Sequence, residues 1–492
     1  MTTSNASVPG LCRSGLNILL MGMLLPTIDF SIVNVALDSI ARSLGASASQ
    51  LELIVAVYGV AFAVCLAMGG RLGDQFGRKR LFMLGGGLFA LASLWCGIAT
   101  SVLMLLLARG LQGVAAAMLV PQILATIHVG LSGREHARAL GLYGSIGGLG
   151  FIVGQVLGGF LVSADIAGLS WRSVFLINLP VCVVVLLGAR RWVPETRAPH
   201  AASVDLPGTL LLALVVVFLM LSVAEGPASD WAWPWGGMLT VLPVLLWALW
   251  RVEVHQEQRQ ANPLLPPALL RLPSVRYGLW IAMVFFTCWG GFMFALALSL
   301  QAGAGLSALA SGNAFIALGV AYFVGALLST RTVERIGKLP LLMLGCAIQM
   351  AGIVLLWLTI RLVWPHPSVW NLIPATLLIG FGQSFIVSSF FRIGLSDVAR
   401  TDAGSGSAML STVQQAALGL GPALLGAVFS HVLHTGAGYR GALLSTLLLE
   451  LAWMLVLLTS AWIYHRRCHT TVAMQRQSRP KPCLAGLSDR DA

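Results

Sequence analysis

The sequence predicts an all-helical membrane protein: two bundles of six helices with two further helices inserted between them. Composition, the length of the apolar runs and an internal repeat carry that reading. Of 492 residues, 57% are hydrophobic and 10% are charged, and the mean hydropathy is +0.86. A soluble protein of this length could not bury so much apolar surface, so lipid must be the main solvent.

The apolar runs give fourteen spans, near 14–38, 51–70, 81–100, 102–127, 138–164, 171–190, 207–225, 233–250, 275–301, 310–330, 339–360, 370–391, 405–432 and 440–464. Each can cross roughly 30 Å of hydrocarbon at about 1.5 Å per residue. The runs are continuously apolar and lack the alternating period of barrel strands, so helices are required. Only Arg13 precedes the first run, and no small-residue cleavage pattern follows it, so this run is expected to be a retained span rather than a signal.

Lys and Arg set the orientation. Of the thirty, Arg42, Arg172, Arg361 and Arg440 fall in outer loops and Arg109 lies in the membrane, leaving 25 on the inner side when the N-terminus is inside. Both termini are therefore expected to be cytoplasmic, in an inner membrane. The formal charge of +12 then reports topology rather than nucleic-acid binding. Trp231, Trp233, Trp364 and Trp370 sit at outer edges, as interfacial aromatics do. The eight cysteines lack CxxC spacing, and most lie in apolar runs, as small buried hydrophobes would.

Two inner-loop segments match at a fixed offset, Gly70-Arg-Leu-Gly-Asp74-Gln-Phe-Gly77-Arg78 and Thr330-Arg-Thr-Val-Glu334-Arg-Ile-Gly337-Lys338. Acid matches acid, base matches base, and two glycines recur, Gly77 as Gly337 and Gly85 as Gly345. Both copies face the same side, which predicts a parallel repeat about an axis along the membrane normal, with a binding site between the halves near mid-membrane. The expected division is a first bundle over 14–191, linkers and a two-helix insertion over 192–274, a second bundle over 275–464 and a cytoplasmic tail over 465–492.

Several segments then resemble a known family. Gly70 to Arg80 resembles the loop signature between the second and third helices of the major facilitator superfamily. Leu107-Ala-Arg109-Gly-Leu-Gln112-Gly113 resembles its fourth-helix motif, and Gly150-Phe-Ile-Val-Gly154-Gln155-Val-Leu-Gly158-Gly159 its fifth-helix antiporter motif. Ile28-Asp29-Phe-Ser-Ile-Val-Asn34-Val-Ala-Leu37 is similar to the first-helix motif of the fourteen-span drug:proton antiporters, with Trp171-Arg172 and Asn178-Leu-Pro180 in the same style. Gln155 replaces the usual proline of the antiporter motif, and Asp38 the proline that usually ends the first-helix motif. The resemblance implies a major-facilitator-type fold and a multidrug or quaternary-ammonium efflux type of exporter. In that fold Gly70, Gly73, Asp74, Gly77, Arg78 and Lys79 form an inner gate, and Gly150, Gly154, Gln155, Gly158 and Gly159 a hinge or seal.

Asp29 is the sharpest single residue, about 15 residues into the first span and roughly 22 Å from its inner end. A carboxylate at that depth must be paired, solvated or protonated, which makes it a candidate for proton exchange. Arg109 enters from the outer side to a similar depth, and the two are expected to be coupled, with Gln112 one turn on; the competing role for Arg109 is to fix helix contacts. Glu450 is a third intramembrane charge, either a second proton site or a partner for polar groups of the second half. Gly150, Gly154 and Gly158 share one helix face and would let a neighbour approach closely. Asn34, Gln112, Gln349, Gln383, Gln414 and Gln415 are candidates to line a cavity, with aromatics such as Phe286 and Trp289.

There is no GxxxxGK[ST] and no HExxH in the chain, so neither nucleotide coupling nor a metal centre is expected, and neither a cofactor nor an enzymatic activity. The expected partners are a small amphipathic substrate, protons and the bilayer, with nothing to indicate a periplasmic adaptor. An uptake carrier for a metabolite and a non-transporting scaffold or sensor are the alternatives.

Overall fold

The computed structural model describes residues 10–197, 205–226, 229–259, 263–399 and 402–477. The end of the expected tail (478–492) and part of the first linker (198–204) lie outside them. Thirteen continuous stretches among the described residues are long and apolar enough to span a bilayer. The last, Gly404–Arg467, has 64 residues, roughly three times what the hydrocarbon needs at about 1.5 Å per residue. It folds back at Gly436 (φ +85°) and Gly438 (φ +66°), left-handed conformations that suit glycine. Among the described residues the passes therefore number fourteen, the count the sequence predicts.

In chain order they are α1 (Arg13–Leu44), α2 (Ala48–Phe76), α3 (Arg78–Gly97), α4 (Val102–Gly130), α5 (Gly133–Ala164), α6 (Ser170–Trp192), α7 (Leu206–Glu225), α8 (Trp235–Gln258), α9 (Pro273–Gly303), α10 (Ala308–Ile336), α11 (Lys338–Val363), α12 (Val369–Gly394), α13 (Ala403–Val432) and α14 (Gly438–Gln477). An even number of passes leaves the start of α1 and the end of α14 at one end of the molecule, the termini end. The starts of helices are set by local chemistry. Ser47 and Gln50 form a capping box at α2, Ser101 Oγ accepts from Met104 N (3.2 Å) at α4, and Ser368 with Asn371 repeats the box at α12.

Helices α1–α6 and α9–α14 form two six-helix bundles built to one plan. The packing of α2 on α4, α3 on α4 and α1 on α5 in the first recurs as α10 on α12, α11 on α12 and α9 on α13 in the second. The match extends to single contacts. A Cβ on Gly113 would lie 2.4 Å from Tyr58 O, and one on Gly380 would lie 1.9 Å from Leu318 O. Gly85 rests on Ala115 O and Leu119 N, and Gly345 on Gly382 O and Ile386. Arg172 donates to Ala99 O (3.1 Å), as Arg440 does to Arg361 O (2.7 Å). Close helix approach at small residues is what holds apolar helices together in lipid, where burial alone gives no drive. These contacts are why the repeat keeps its glycines.

The bundles meet along two seams related by the same repeat, α2 against α13 and α5 against α10. On the first, a Cβ on Gly59 would stand 2.6 Å from Gly419 Cα, and Ser430 Oγ donates to Glu52 (2.5 Å). On the second, Gly312 rests on Gln155 O and Gly159 on Ala308 O, and Leu309 N donates to Ser163 Oγ (2.9 Å). All these contacts lie at mid-membrane or towards the end opposite the termini, the far end. At the termini end, a Cβ on Gly144 of α5 or Gly404 of α13 would meet nothing within 4 Å. The bundles are thus joined at the far end.

The inserted pair is an arm outside the two bundles. Val216, Met220 and Ala224 of α7 pack on Leu53, Ala56, Val60 and Val64 of α2 and on Leu420 and Ala423 of α13. So α7 covers the α2/α13 seam, while α8 packs on α7 and presents Val244, Leu246 and Trp247 outward. The sequence marks the pair as an insertion but carries no signal for which seam it covers.

Candidate functional site

A polar cluster occupies the middle of the first bundle, with no exposure of either Asp29 or Arg109. Arg109 Nη1 on α4 bonds Asp29 Oδ2 on α1. It also donates to Gln112 Oε1 (2.8 Å), and Arg109 Nε donates to Ile54 O of α2 (3.2 Å). The other Asp29 oxygen accepts from Gln112 Nε2 (2.8 Å) and from Asn178 Nδ2 of α6 (2.9 Å). Ser93 Oγ of α3 accepts from both amides, at 2.9 and 3.3 Å. Five helices (α1, α2, α3, α4 and α6) therefore contribute to one cluster around this carboxylate. A carboxylate in hydrocarbon is tolerable when a cation and hydrogen bonds surround it, and Asp29 has one cation and two amide donors.

The guanidinium also faces rings, with Cζ 4.3 Å from the Tyr58 centroid and 5.8 Å from that of Phe175. Tyr58 donates to Pro26 O (3.0 Å), which ties α2 to the proline of α1 one turn before Asp29. From Tyr58 a chain of rings runs to the seam. Phe30 is 6.2 Å from Tyr58, Phe151 of α5 is 5.7 Å from Phe30, and Trp289 of α9 is 5.5 Å from Phe151. Trp289 contacts Phe285, Phe286 and Tyr322 in turn. The narrow cleft there lies between the bundles, against Phe151, Ile152, Met293, Phe315 and Tyr322. The buried ion pair is thus linked through a chain of rings to the interface between the bundles.

The glycine stripe of α5 faces α1. A Cβ on Gly150 would lie 2.3 Å from Thr27 Oγ1, one on Gly154 2.0 Å from Ser31 Oγ, and one on Gly158 2.5 Å from Val35. Gly159 turns instead to α10, and Gln155 is buried between the two with neither amide atom hydrogen-bonded. The segment over residues 70–80 is tied to its own half. Asp74 Oδ1 accepts from Arg78 Nε (3.0 Å) and Nη2 (2.7 Å), and Glu195 accepts from the backbone of Lys79 (3.1 Å) and Arg80 (3.2 Å). Gly77, at φ +108°, would put a Cβ 2.6 Å from Glu195 Oε1, so a side chain there would disrupt this cap. Gly73 is filled by Gln122, which bonds Gly69 O (2.8 Å), and Gly70 faces Pro121. Arg71 Nη2 reaches away to Pro263 O (2.7 Å), on the linker that Asp205 and Glu253 hold through Leu264 N (3.2 Å) and Leu265 N (3.0 Å).

The remaining candidates scatter. Asn34 is buried and bonds its own helix at Phe30 O (3.4 Å) and Ser31 O (3.2 Å). Gln349 donates to Glu450 (3.4 Å) inside the second bundle, between α11 and α14. Gln383 is buried with its amide unbonded, and Gln414 and Gln415 are half-buried on α13. Sequence reasoning missed Ser93, Tyr58 and Glu52 as members of the polar interior. Asn178 was visible in a recognised motif but carried no assigned role.

Residues 19–422 match the family described as Major Facilitator Superfamily. The chain is 36% identical over 404 residues to a "Probable actinorhodin transporter" of Streptomyces coelicolor, covering 82% of this chain and 70% of that one. It is 36% identical over 407 residues to "Puromycin resistance protein pur8" of Streptomyces alboniger (82% and 78%), and 32% identical over 394 residues to "Cephamycin export protein CmcT" of Amycolatopsis lactamdurans (79% of each). Among solved structures, an auto-inhibited POT family peptide transporter superposes with a TM-score of 0.66 at 14% identity, over 93% of this chain and 97% of that one.

Proposed function

Because the chain belongs to the major facilitator superfamily, we propose that it is a proton-driven exporter of small amphipathic, antibiotic-like compounds, working by alternating access between its two bundles. The relatives are named for an actinorhodin transporter, puromycin resistance and cephamycin export, and carried to this chain those names point to efflux. The termini end is the cytoplasmic side of an inner membrane, by the Lys and Arg asymmetry. The bundles, joined at the far end, then stand in an inward-facing state. The moving units are residues 14–191 and 275–464, with the inserted arm between them.

The observation that carries proton coupling is the wholly buried Asp29–Arg109 pair in ring contact with the seam. Arg109 holds a permanent charge and keeps Asp29 ionised while the pair is intact. A rearrangement of α1 against α4 that lengthened this contact would favour a proton on Asp29. The proton enters from outside and leaves to the cytoplasm, and the substrate moves the other way. The Asp74–Arg78 loop closes the inner side when the bundles rock. Glu450, held by Gln349 away from the seams, is a structural carboxyl in this scheme.

The test is efflux of a panel of antibiotics and dyes from a pump-deficient host, with and without a protonophore, for the wild type and Asp29→Asn at equal membrane abundance. Collapse of the proton gradient is expected to raise intracellular compound with the wild type, and Asp29→Asn to behave like the uncoupled cell. Accumulation that falls on gradient collapse would point to uptake and overturn the export reading.

A further inference from the structure

Glu52 is a buried carboxyl that the scheme above leaves without a role. It lies in the first turns of α2, near the far end, with no exposure. Its neighbours come from the other bundle and from the inserted arm. Ser430 Oγ of α13 donates to Glu52 Oε1 (2.5 Å), and a Cβ on Gly426, one turn before Ser430, would stand 2.6 Å from the Glu52 carboxyl carbon. The missing side chain at Gly426 therefore makes the space that the carboxyl fills. The second oxygen, Oε2, is buried with no hydrogen-bond partner.

We propose that Glu52 is a second proton-binding site, a latch that closes the far-end seam when its carboxyl is protonated and releases it when ionised. The inference rests on the alternating-access reading and adds to it a residue, a seam and a sign. In the closed seam an ionised carboxyl would have one hydroxyl donor, one bare oxygen and, among the described residues, no neighbouring cation. The charged groups facing it are few. From α7 there is the Glu225 carboxylate, a like charge. From α13 there is His431, and from the turn that follows it His434, whose Nδ1 donates to Ser430 O (2.7 Å); both rings are exposed. From α4 there is Arg109, which reaches Ile54 O two residues along α2 but is committed to Asp29. A charge buried with so little compensation is costly, while the neutral acid is not.

When the bundles part at this end, α2 leaves α13 and the carboxyl meets the water that enters between them, where the ionised form is solvated. The closed state therefore holds the Glu52 proton more tightly than the open state. By linkage, a proton taken up from outside favours closure, and its release favours opening. The inserted arm belongs to the same device. Met220 and Ala224 of α7 cover the seam next to Glu52, which keeps lipid and water from the carboxyl while the seam is shut.

The experiment measures the far-end gap against pH. Spin labels are placed at Ser43→Cys and Thr435→Cys, exposed far-end positions on opposite bundles, with the native cysteines replaced, in lipid nanodiscs. Double electron–electron resonance reads the fraction closed. For the wild type the short distance is expected to gain as pH falls, with the closed-to-open ratio changing by at most about tenfold per pH unit, the limit for one proton. Glu52→Gln, a neutral group of the same shape, is expected to stay closed across the range. Ser430→Ala, which keeps the acid and removes its one bond across the seam, weakens the closed state and is expected to move the midpoint to lower pH. A wild type that shows both distances with no pH dependence would overturn the latch and leave alternating access standing. A single distance under every condition would sink both. A Glu52→Gln curve that follows the wild type, or an unmoved midpoint in Ser430→Ala, would overturn the latch alone.

Discussion

Removing Arg109 is expected to cost more stability than removing Asp29 and Arg109 together. Arg109 is wholly buried, and its guanidinium bonds Asp29, Gln112 Oε1 (2.8 Å) and Ile54 O (3.2 Å) while lying 4.3 Å from the Tyr58 ring. In Arg109→Met the Asp29 carboxylate keeps its Gln112 and Asn178 donors but loses its only bonded cation. Breaking one side of a buried pair costs about 3–5 kcal/mol, because the other charge is left uncompensated. Asp29→Leu alone strands the guanidinium at a similar cost. If the two losses were independent they would sum to about 6–10 kcal/mol. The double variant Asp29→Leu/Arg109→Met leaves no stranded charge, and Gln112, Asn178 and Ser93 can still bond one another, so it is expected to be no worse than either single change. The assay is the fraction of purified protein that remains monodisperse after heating, compared across the four proteins at one detergent concentration. A double variant that loses as much as the two singles summed would refute the claim that these charges are held by each other. The same variant separates folding from coupling, since it should reach the membrane and fail to export against a proton gradient.

Other expectations follow from the geometry. Gly154→Ala should lower both abundance and efflux, since its Cβ would fall 2.0 Å from Ser31 Oγ and 2.6 Å from Ile28 O, an overpacking cost of about 1–3 kcal/mol. Gly144→Ala, on the same helix with nothing within 4 Å, should be neutral in the same immunoblot and efflux assay. Cysteines at 163 and 309, where Ser163 Oγ meets Leu309 N at 2.9 Å, should cross-link with a short bifunctional reagent and stop transport, and reduction of a cleavable linker should restore it. Trp289→Ala should raise the KM for aromatic substrates more than it lowers kcat, because it removes the ring between Phe151 and Tyr322 and leaves the ion pair untouched. Glu450→Gln should keep proton-coupled efflux and gain thermal stability, as it exchanges a buried acid bonded only by Gln349 (3.4 Å) for a neutral amide.

The sequence made the membrane spans legible because lipid imposes one rule on each of them: a long apolar run with its backbone satisfied internally. Where that rule holds, the ends read from the sequence lie within a few residues of the observed helices on the lipid-facing side. Several helices run longer, such as α2 to Phe76 and α8 to Gln258, because their last turns stand beyond the apolar run and are held by polar contacts that hydropathy does not register. The meeting of Asp29 and Arg109 was legible from depth alone, as two rare intramembrane charges of opposite sign at one level. Ser93 and Tyr58 were not, since a serine or tyrosine in a span has many satisfactory local bonds and its long-range partner depends on rotation about the helix axis. Glu52 was hidden by its position near a helix start, where an acid is ordinarily a solvated residue favoured by the helix dipole. Only the neighbouring bundle and the inserted arm bury it.

The repeat explains why the first bundle holds the buried ion pair and the second holds the indole that lines the cleft between them. The shared offset that carries Asp74 to Glu334 carries Asp29 to Trp289, Ser93 to Ile353 and Tyr58 to Leu318. Matching the arginine bonds of α6 and α14 places Asn178 with Thr446. The second bundle thus keeps the helix contacts of the first, down to the glycines, but holds an indole where the first holds its titratable carboxylate. A charge at Trp289 would have no guanidinium to meet, because the position equivalent to Arg109 on α12 is Thr376, whose hydroxyl bonds its own helix at Leu372 O (3.0 Å). One scaffold written twice has one copy centred on an ion pair and the other on a ring platform. Phe30, beside Asp29, and Trp289 are joined through Phe151 across the α5 seam. Any displacement of α1 at this level would therefore press Phe30 against the stack that holds the cleft.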